Sequence, residues 1–441
     1  MNTSEKETLS RRDFFRNMGA AISGSGIAMA SFPWLQSCSA DEKKAIAEGD
    51  KLKIAIIGTG SRGQFHIQNL LAMNNVEIAL LCDNYPPHLQ QAAAMVPLAK
   101  TCSDYREALD RKDIPAVLIA TPLYAHAHIT IDALSAGKHV MCEKSMAMTP
   151  DDCLAMYRAY KASGKVLYIG QQRLFDSKYI RAMEMIHEGT LGVISGIRAY
   201  WFRNNDWRRE VPSPEFERKI NWRLYKEYSG GLMTELATHQ LQVGNWAMRM
   251  IPDTVTGYGD IVYWKDGREV YDNVSLIYRF ANGVKMNYES IISNKFFGLE
   301  EEILCSNGTM EPEKGKYYFE EAAPAPGIMQ LINQIEHKIF DNVAFAGPSW
   351  VPETASKNTG YFITDNFSTT SGESSVGAAG DGSKELLEAF CTAAVTGRPA
   401  ENLVEEAYYS SVLALLGLQS MDEQRSITFP DEYKIPYYNF A

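Results

Sequence analysis

Gly58-Thr59-Gly60-Ser61-Arg62-Gly63 is built to hold a phosphate rather than to react. Gly58, Gly60 and Gly63 permit a tight turn and a close main-chain approach to a pyrophosphate. The helical pattern that follows, Gln64 to Met73, adds N–H donors and a favourable dipole. Asp83 lies twenty residues beyond Gly63, where a carboxylate can accept hydrogen bonds from both adenosine ribose hydroxyls and repel a 2′-phosphate. That favours NAD, while Arg62 inside the turn leaves NADP open. A second set of chemically capable side chains follows short apolar runs: Thr121, Pro122, Tyr124 and His126 after Ala116–Ala120, and Glu143 and Lys144 after Lys138–Cys142.

The elements that must position these residues alternate along the chain. Lys53–Ile57 has the β-branched content of a buried parallel strand and runs directly into the glycine turn. Val76–Leu81, Ala116–Ala120, Lys138–Cys142 and Val166–Gly170 read as further strands, with a helix at Ala127–Ala136 between two of them. Such alternation specifies a parallel, right-handed, doubly wound sheet, and ligands bind outside the carboxyl ends of its strands. A lone glycine fingerprint is weak; its place between a strand and a helix strengthens it. An α/β domain for another nucleotide or a flavin is the competing reading.

Past residue 172 the pattern changes. A helix at Lys178–Glu188 precedes strands at Ile194–Phe202, Thr254–Trp264, Asn273–Phe280 and Val284–Ser290, with Asn282-Gly283 as a hairpin turn. The fold class expected is α/β, an N-terminal Rossmann sheet over 51–172 followed by an α+β domain over 173–441 with a large, open, mainly antiparallel sheet. Residues 366–383 are Ser/Thr/Gly-rich and read as a flexible loop. Helices at Leu386–Ala394 and Glu405–Leu418 should pack back on the first domain.

Composition narrows the partners. Among 441 residues, 54 acidic against 43 basic side chains give a formal net charge of -11, and no dense Lys/Arg tract with aromatics follows the first twenty residues. No nucleic acid is expected as a partner. The seven cysteines show no C-x-x-C pair, and no His/Cys/carboxylate cluster has ligand spacing, so neither a disulfide framework nor a metal site is expected.

The N-terminus reads as an address. Ser10-Arg11-Arg12-Asp13-Phe14-Phe15 is a twin-arginine pair followed by aromatics, and the apolar run Met18–Phe32 leads to Leu35-Gln36-Ser37-Cys38. The latter resembles a bacterial lipobox in which Cys38 is lipidated. Residues 1–38 are therefore expected to direct export to the periplasm and to give a membrane contact only through a lipid, with 39–50 as linker. A chance cysteine in a signal cleaved elsewhere is the alternative. Because that route carries folded proteins into a compartment without free nicotinamide nucleotide, the cofactor should be tightly bound and regenerated in place.

Four segments together resemble the glucose-fructose oxidoreductase / inositol dehydrogenase / rhizopine catabolism (Gfo/Idh/MocA) superfamily. They are Gly58–Gly63, Thr121-Pro122-Leu123-Tyr124-Ala125-His126, Ala136-Gly137-Lys138-His139-Val140-Met141-Cys142-Glu143-Lys144, and Gly230-Gly231 followed by His239. The resemblance implies an NAD(P)-dependent oxidoreductase acting on a hydroxyl of a sugar or glycoside, and a homo-oligomer formed through the C-terminal sheet. Lys144 would reach the substrate hydroxyl. Ser145 stands where the family has proline, which leaves the backbone there less constrained. His239 is the favoured acid/base with Lys144 as its partner, and the two roles could be exchanged.

Glu235, four residues before His239, shares its helical face, while Gln242 replaces a carboxylate common in relatives and makes His239 more dependent on Glu235 or substrate. Gln171, Trp222 and Arg223 fall in cofactor-proximal segments, and Arg173 near the nicotinamide ribose or substrate. Tyr124 and Trp207 join His239 as substrate candidates, Trp207 from a Trp/Arg/Asn-rich stretch, Trp201–Trp222, suited to a pyranose ring. Two further readings stay open: a redox-neutral NAD-dependent glycosidase that oxidises, eliminates and re-reduces, and a non-catalytic carbohydrate- or nucleotide-binding lipoprotein.

Overall fold

The computed structural model describes residues 51–320, 360–363 and 380–437. The twin-arginine segment, Cys38, the linker and most of the 366–383 loop lie outside them.

The first sheet has six strands in the order β3-β2-β1-β4-β5-β6, all parallel. They are β1 (Leu52–Ile57), β2 (Val76–Cys82), β3 (Lys100–Cys102), β4 (Ala116–Ile119), β5 (His139–Cys142) and β6 (Leu167–Ile169). Every residue of β4 and β6 is buried: helices cover both faces of the sheet, and the edge strand β6 is covered further by the long helix from the second domain. The strand order reverses between β1 and β4, the crevice where such sheets bind dinucleotides.

Local chemistry explains where the helices start and stop. The helix Pro150–Ser163 starts with Thr149 accepting from the Asp152 N–H, has proline at its first position and two aspartates in its first turn, and ends on Gly164 at φ 63°. The helix Ser61–Leu71 starts directly from Gly60, with no side-chain cap. Its first amides are left for another acceptor.

The second sheet has nine strands in the order β14-β13-β12-β11-β7-β10-β9-β8-β15. They comprise β7 (Ile194–Phe202), β8 (Thr254–Asp260), β9 (Asn273–Arg279), β10 (Lys285–Ile291), β11 (Leu299–Cys305), β12 (Gly308–Glu311), β13 (Lys316–Phe319), β14 (Tyr361–Phe362) and β15 (Ile427–Thr428). All neighbours are antiparallel except β7 and β10. Val274, Leu276 and Tyr278 of β9 point inward and Ser275, Ile277 and Arg279 outward, as a sheet with one covered face requires. The Asn282-Gly283 turn forms with Gly283 at φ 88°.

Some boundaries differ from expectation. β8 ends at Asp260, not Trp264, because the Asp272 carboxylate gathers the N–H groups of Val262, Tyr263 and Trp264 and turns the chain out of the sheet. The stretch read as loop extends only to Gly382, since the next helix is Ser383–Thr396.

The covered face carries the helix Thr238–Met248 and the long helix Leu403–Glu423. The latter also lies against the first domain, where its Ser410 and Ser411 hydroxyls meet Gln171 Nε2 and the Met146 N–H at 3.0 Å each.

Candidate active site

The glycine turn has the shape its sequence implies. Gly58 sits at φ 91°, and a Cβ there would lie 2.6 Å from the Ala120 carbonyl. A Cβ on Gly63 would overlap the Gly58 carbonyl oxygen, so this glycine lets the helix start against the strand. Gly60 is different: the nearest atoms to its missing side chain belong to the His88 ring, 3.6 Å away. Space over the turn is thus open at Gly60 alone, where a pyrophosphate would approach.

Asp83 holds this turn as well as facing it. Its Oδ2 accepts from the Thr59 N–H at 2.7 Å and the Thr59 hydroxyl at 3.2 Å, and its Oδ1 from the Tyr85 N–H at 2.8 Å. A carboxylate has about four acceptor positions, so a ribose would share an occupied group. His88, 4.0 Å from Asp83, borders the same space and was missed in the sequence, where nothing separates it from a surface helix residue.

Glu143 is nearly buried and holds two partners on one oxygen, Arg62 Nε at 2.7 Å and His66 Nε2 at 2.6 Å. Burial pushes its pKa up, but Arg62 and His66 hold the carboxyl well below its usual range. Arg62 is therefore engaged by Glu143.

Lys144 leaves the end of β5, and the peptide joining it to Ser145 is cis. Its Nζ donates to the main-chain oxygen of Glu235 at 2.6 Å, and Ser145 Oγ donates to the Thr234 oxygen at 2.7 Å. Both acceptors belong to a π-helical turn, Met233–Ala237, that precedes the helix bearing His239. Such wide turns are frequent at functional sites. Burial lowers the Lys144 pKa, against the opposing charges of Glu235 and Glu143.

Glu235 has side-chain partners of its own. Its carboxylate receives Arg223 Nε at 2.8 Å and the Ser229 hydroxyl at 3.3 Å. Burial raises its pKa, yet Arg223 and Lys144 bring it below the ordinary value. His239 is buried, its Nδ1 has no hydrogen-bond partner, and its ring lies 5.9 Å from that of Trp201. Burial first, then the charges of Lys144 and Arg173, depress its pKa well below normal. The imidazole is neutral at neutral pH.

The remaining candidates fall into three groups. Thr121 and Gln171 border the strand ends with one buried oxygen each unpartnered, Thr121 Oγ1 and Gln171 Oε1. Pro122 leads the short turn carrying Tyr124, which is exposed and packs on Tyr228 at 5.1 Å. His126 is buried, with Nδ1 2.8 Å from the Ser145 oxygen and Nε2 2.9 Å from the Thr121 oxygen, so it ties the two strand-end loops together. Arg173 is buried and ion-paired with Glu301. Trp207 is half-buried at φ 61°, and Trp222 carries the Arg223 guanidinium 4.2 Å above its ring. Ser61 is exposed at the start of its helix and receives Arg209 Nη2 at 3.2 Å.

Comparison with known proteins agrees with this architecture. Residues 52–171 match the oxidoreductase family with an NAD-binding Rossmann fold, and residues 179–311 the GFO/IDH/MocA C-terminal domain. The chain is 28% identical over 268 residues to a 1-carboxy-3-chloro-3,4-dihydroxycyclohexa-1,5-diene dehydrogenase of Comamonas testosteroni, covering 60% of this chain and 64% of that one. It is 27% identical over 237 residues to a glycosyl hydrolase family 109 protein of Shewanella pealeana, covering 49% of this chain and 50% of the other. The match thus spans less than two thirds of either relative. A levoglucosan dehydrogenase solved with NADH and levoglucosan superposes with a TM-score of 0.66 at 20% identity, covering 87% of this chain and all of that one. With both halves matched in order, and with the glycine turn, strand-end lysine and helix-borne histidine in place, the chain belongs to the Gfo/Idh/MocA oxidoreductase family.

Proposed function

We propose that the protein is an NAD-dependent dehydrogenase that oxidises or reduces a hydroxyl carbon of a sugar or glycoside and keeps its cofactor between turnovers. The observation that carries this reading is the buried His239 with an unpartnered nitrogen, on the helix that follows directly from the turn receiving the Lys144 ammonium.

The residues fit a dinucleotide. Gly58, Gly60 and Gly63 with the free amides at Ser61 and Arg62 would hold the pyrophosphate, Asp83 the adenosine ribose, and Thr121, Pro122, Glu143, Lys144 and Gln171 the nicotinamide half. When bound, the nicotinamide ring accepts or returns a hydride. His239 receives the hydroxyl proton as the neutral base, while the Lys144 ammonium donates to the same substrate oxygen and stabilises the charge developing there. His126, fixing both strand-end loops, keeps Lys144 in line. Geometry of this kind aligns loss of the proton from the hydroxyl oxygen with loss of the hydride from the carbon that bears it.

NAD is preferred to NADP in this reading because Asp83, held beside the glycine turn, would meet the adenosine ribose and Arg62 is engaged by Glu143. Export by the twin-arginine route, a lipid on Cys38 and a periplasmic location are part of the proposal and rest on residues 1–38. Assembly through the outer face of the second sheet is supported by the exposed Tyr258 and Ile277 on neighbouring strands. The glycosyl hydrolase relative favours a second reading, redox-neutral cleavage with the same retained nucleotide.

One experiment separates them. Nucleotide released from the denatured native protein is identified by mass spectrometry, and the protein is then given a panel of sugars and nitrophenyl glycosides. Absorbance of NADH that accumulates with a sugar supports the dehydrogenase; phenol released without an added acceptor supports the glycosidase. Absence of any nucleotide and of any turnover would sink both.

A further inference from the structure

The second domain reaches back across the glycine turn through the segment that follows β7. Arg209 Nη2 donates to the Ser61 hydroxyl at 3.2 Å, and Ser61 is the first residue of the helix whose amides face the pyrophosphate seat. Within the same segment, Lys219 Nζ donates to the Asn84 carbonyl at 2.9 Å and the Phe216 ring lies 5.8 Å from that of Tyr85. Both contacts fall just beyond Asp83. The segment therefore touches the turn and the ribose side of the same groove.

Arg209 differs in its pairing from the arginines beside it and at the turn. Arg208 pairs with Glu217 and Asp266, Arg218 with Glu227 and Glu269, Arg223 with Glu235, and Arg62 with Glu143. Among the described residues Arg209 has no carboxylate partner. A diphosphate brings two negative charges to a turn where Asp83 and Glu143 already stand and where Arg62 is already neutralised. A guanidinium is the side chain best matched to such a group, because its planar fork donates two parallel hydrogen bonds.

The loop also fixes this arginine in place. Asn221, which is buried, accepts the Arg209 N–H on Oδ1 at 2.7 Å and returns Nδ2 to the Arg209 carbonyl at 3.0 Å. Its amide is bound in turn to Glu217, the partner of Arg208. A two-point clasp on the main chain holds the side chain toward Ser61 before any ligand arrives.

We propose that Arg209 is a cofactor-binding residue supplied by the second domain, closing over the dinucleotide pyrophosphate opposite the glycine turn, with Asn221 as its positioning residue. This rests on the NAD reading above and supplies its missing part, a physical cause for retention. Release of the dinucleotide then requires the 203–228 segment to lift from the turn.

The test is the dissociation rate of NADH from the full-length protein, followed by fluorescence after a chase with excess NAD. R209Q should release NADH roughly tenfold faster or more, R209K should recover part of the difference, and N221A should move in the same direction by less. Added salt should speed release from the wild type more than from R209Q. Wild-type protein that binds NADH but releases it no more slowly than R209Q overturns the assignment alone. Wild-type protein that binds no dinucleotide overturns it together with the cofactor reading.

Discussion

The Lys144 ammonium donates to the main-chain oxygen of Glu235 at 2.6 Å, while the carboxylate of the same glutamate is turned to Arg223. Glu235 thus aims the lysine without forming a direct ion pair with it. An amine held this way in a buried site keeps N–H bonds to give to a substrate and has its pKa lowered by burial.

That arrangement predicts a bell-shaped pH dependence of kcat/KM for oxidation. The acid limb reports His239, which must be neutral, and should fall below the free-histidine value near 6.5. The alkaline limb reports Lys144, which must be protonated, and should fall below 10.5. Activity rises through the first value and is lost through the second. Lys144→Met should reduce kcat by about 10²–10⁴-fold and abolish the alkaline limb, and His239→Asn should abolish the acid limb. Steady-state rates across pH, with melting curves as a control for folding, decide it; an alkaline limb that persists in Lys144→Met rejects the assignment.

Gly60 and Gly63 should fail in different ways. Gly63→Val drives a side chain into the Gly58 carbonyl, a rigid obstacle, and should cost more than about 3 kcal/mol or prevent folding. Gly60→Val meets only the His88 ring at van der Waals distance and should fold normally, yet its side chain occupies the space a pyrophosphate needs. Melting temperature and NADH titration on both variants give the answer: NADH binding unimpaired in Gly60→Val would remove the phosphate seat from the turn.

His126 predicts a stability change of defined sign. Both ring nitrogens face carbonyl oxygens, which only accept, so the doubly protonated ring is the form that satisfies both. Burial opposes that charge, but the Cys142 sulfur and the two carbonyls outweigh it and raise the pKa to about 9. A pKa raised on folding adds stability that is complete below about 6.5 and disappears as pH rises through about 9, up to about 3 kcal/mol in all. The melting temperature should decline over that window in the wild type, and His126→Phe should be less stable at pH 6 and show little of the decline. A variant whose stability parallels the wild type through this range would contradict the charged imidazole.

The first domain was legible because a buried parallel sheet leaves unbroken apolar runs and because the glycines are demanded by backbone geometry. The second was legible only where its strands alternate, as in β9. β11 escaped notice because Glu300, Glu301 and Glu302 interrupt the pattern; the structure buries Glu301 against Arg173 and Tyr179 and gives Glu300 the N–H groups of Glu313 and Lys314. Those same partners explain why Arg173, assigned from sequence to the substrate pocket, is engaged by Glu301.

Spacing could not give the partner of Glu235: it lies four residues before His239, but its carboxylate takes Arg223, twelve residues upstream. Arg209 was legible only as part of the Trp201–Trp222 stretch suited to a sugar ring; its neighbour at the glycine turn lies 148 residues away, and no local pattern records such a meeting.

The long helix near the C-terminus bears on how the molecule is made. Ser410 and Ser411 brace Gln171 and Met146 from more than two hundred positions downstream. During synthesis the nucleotide-facing half therefore leaves the ribosome long before its back support exists. Its strands can pair early, but the wall at Gln171 is braced only once the helix carrying Ser410 and Ser411 has emerged and docked.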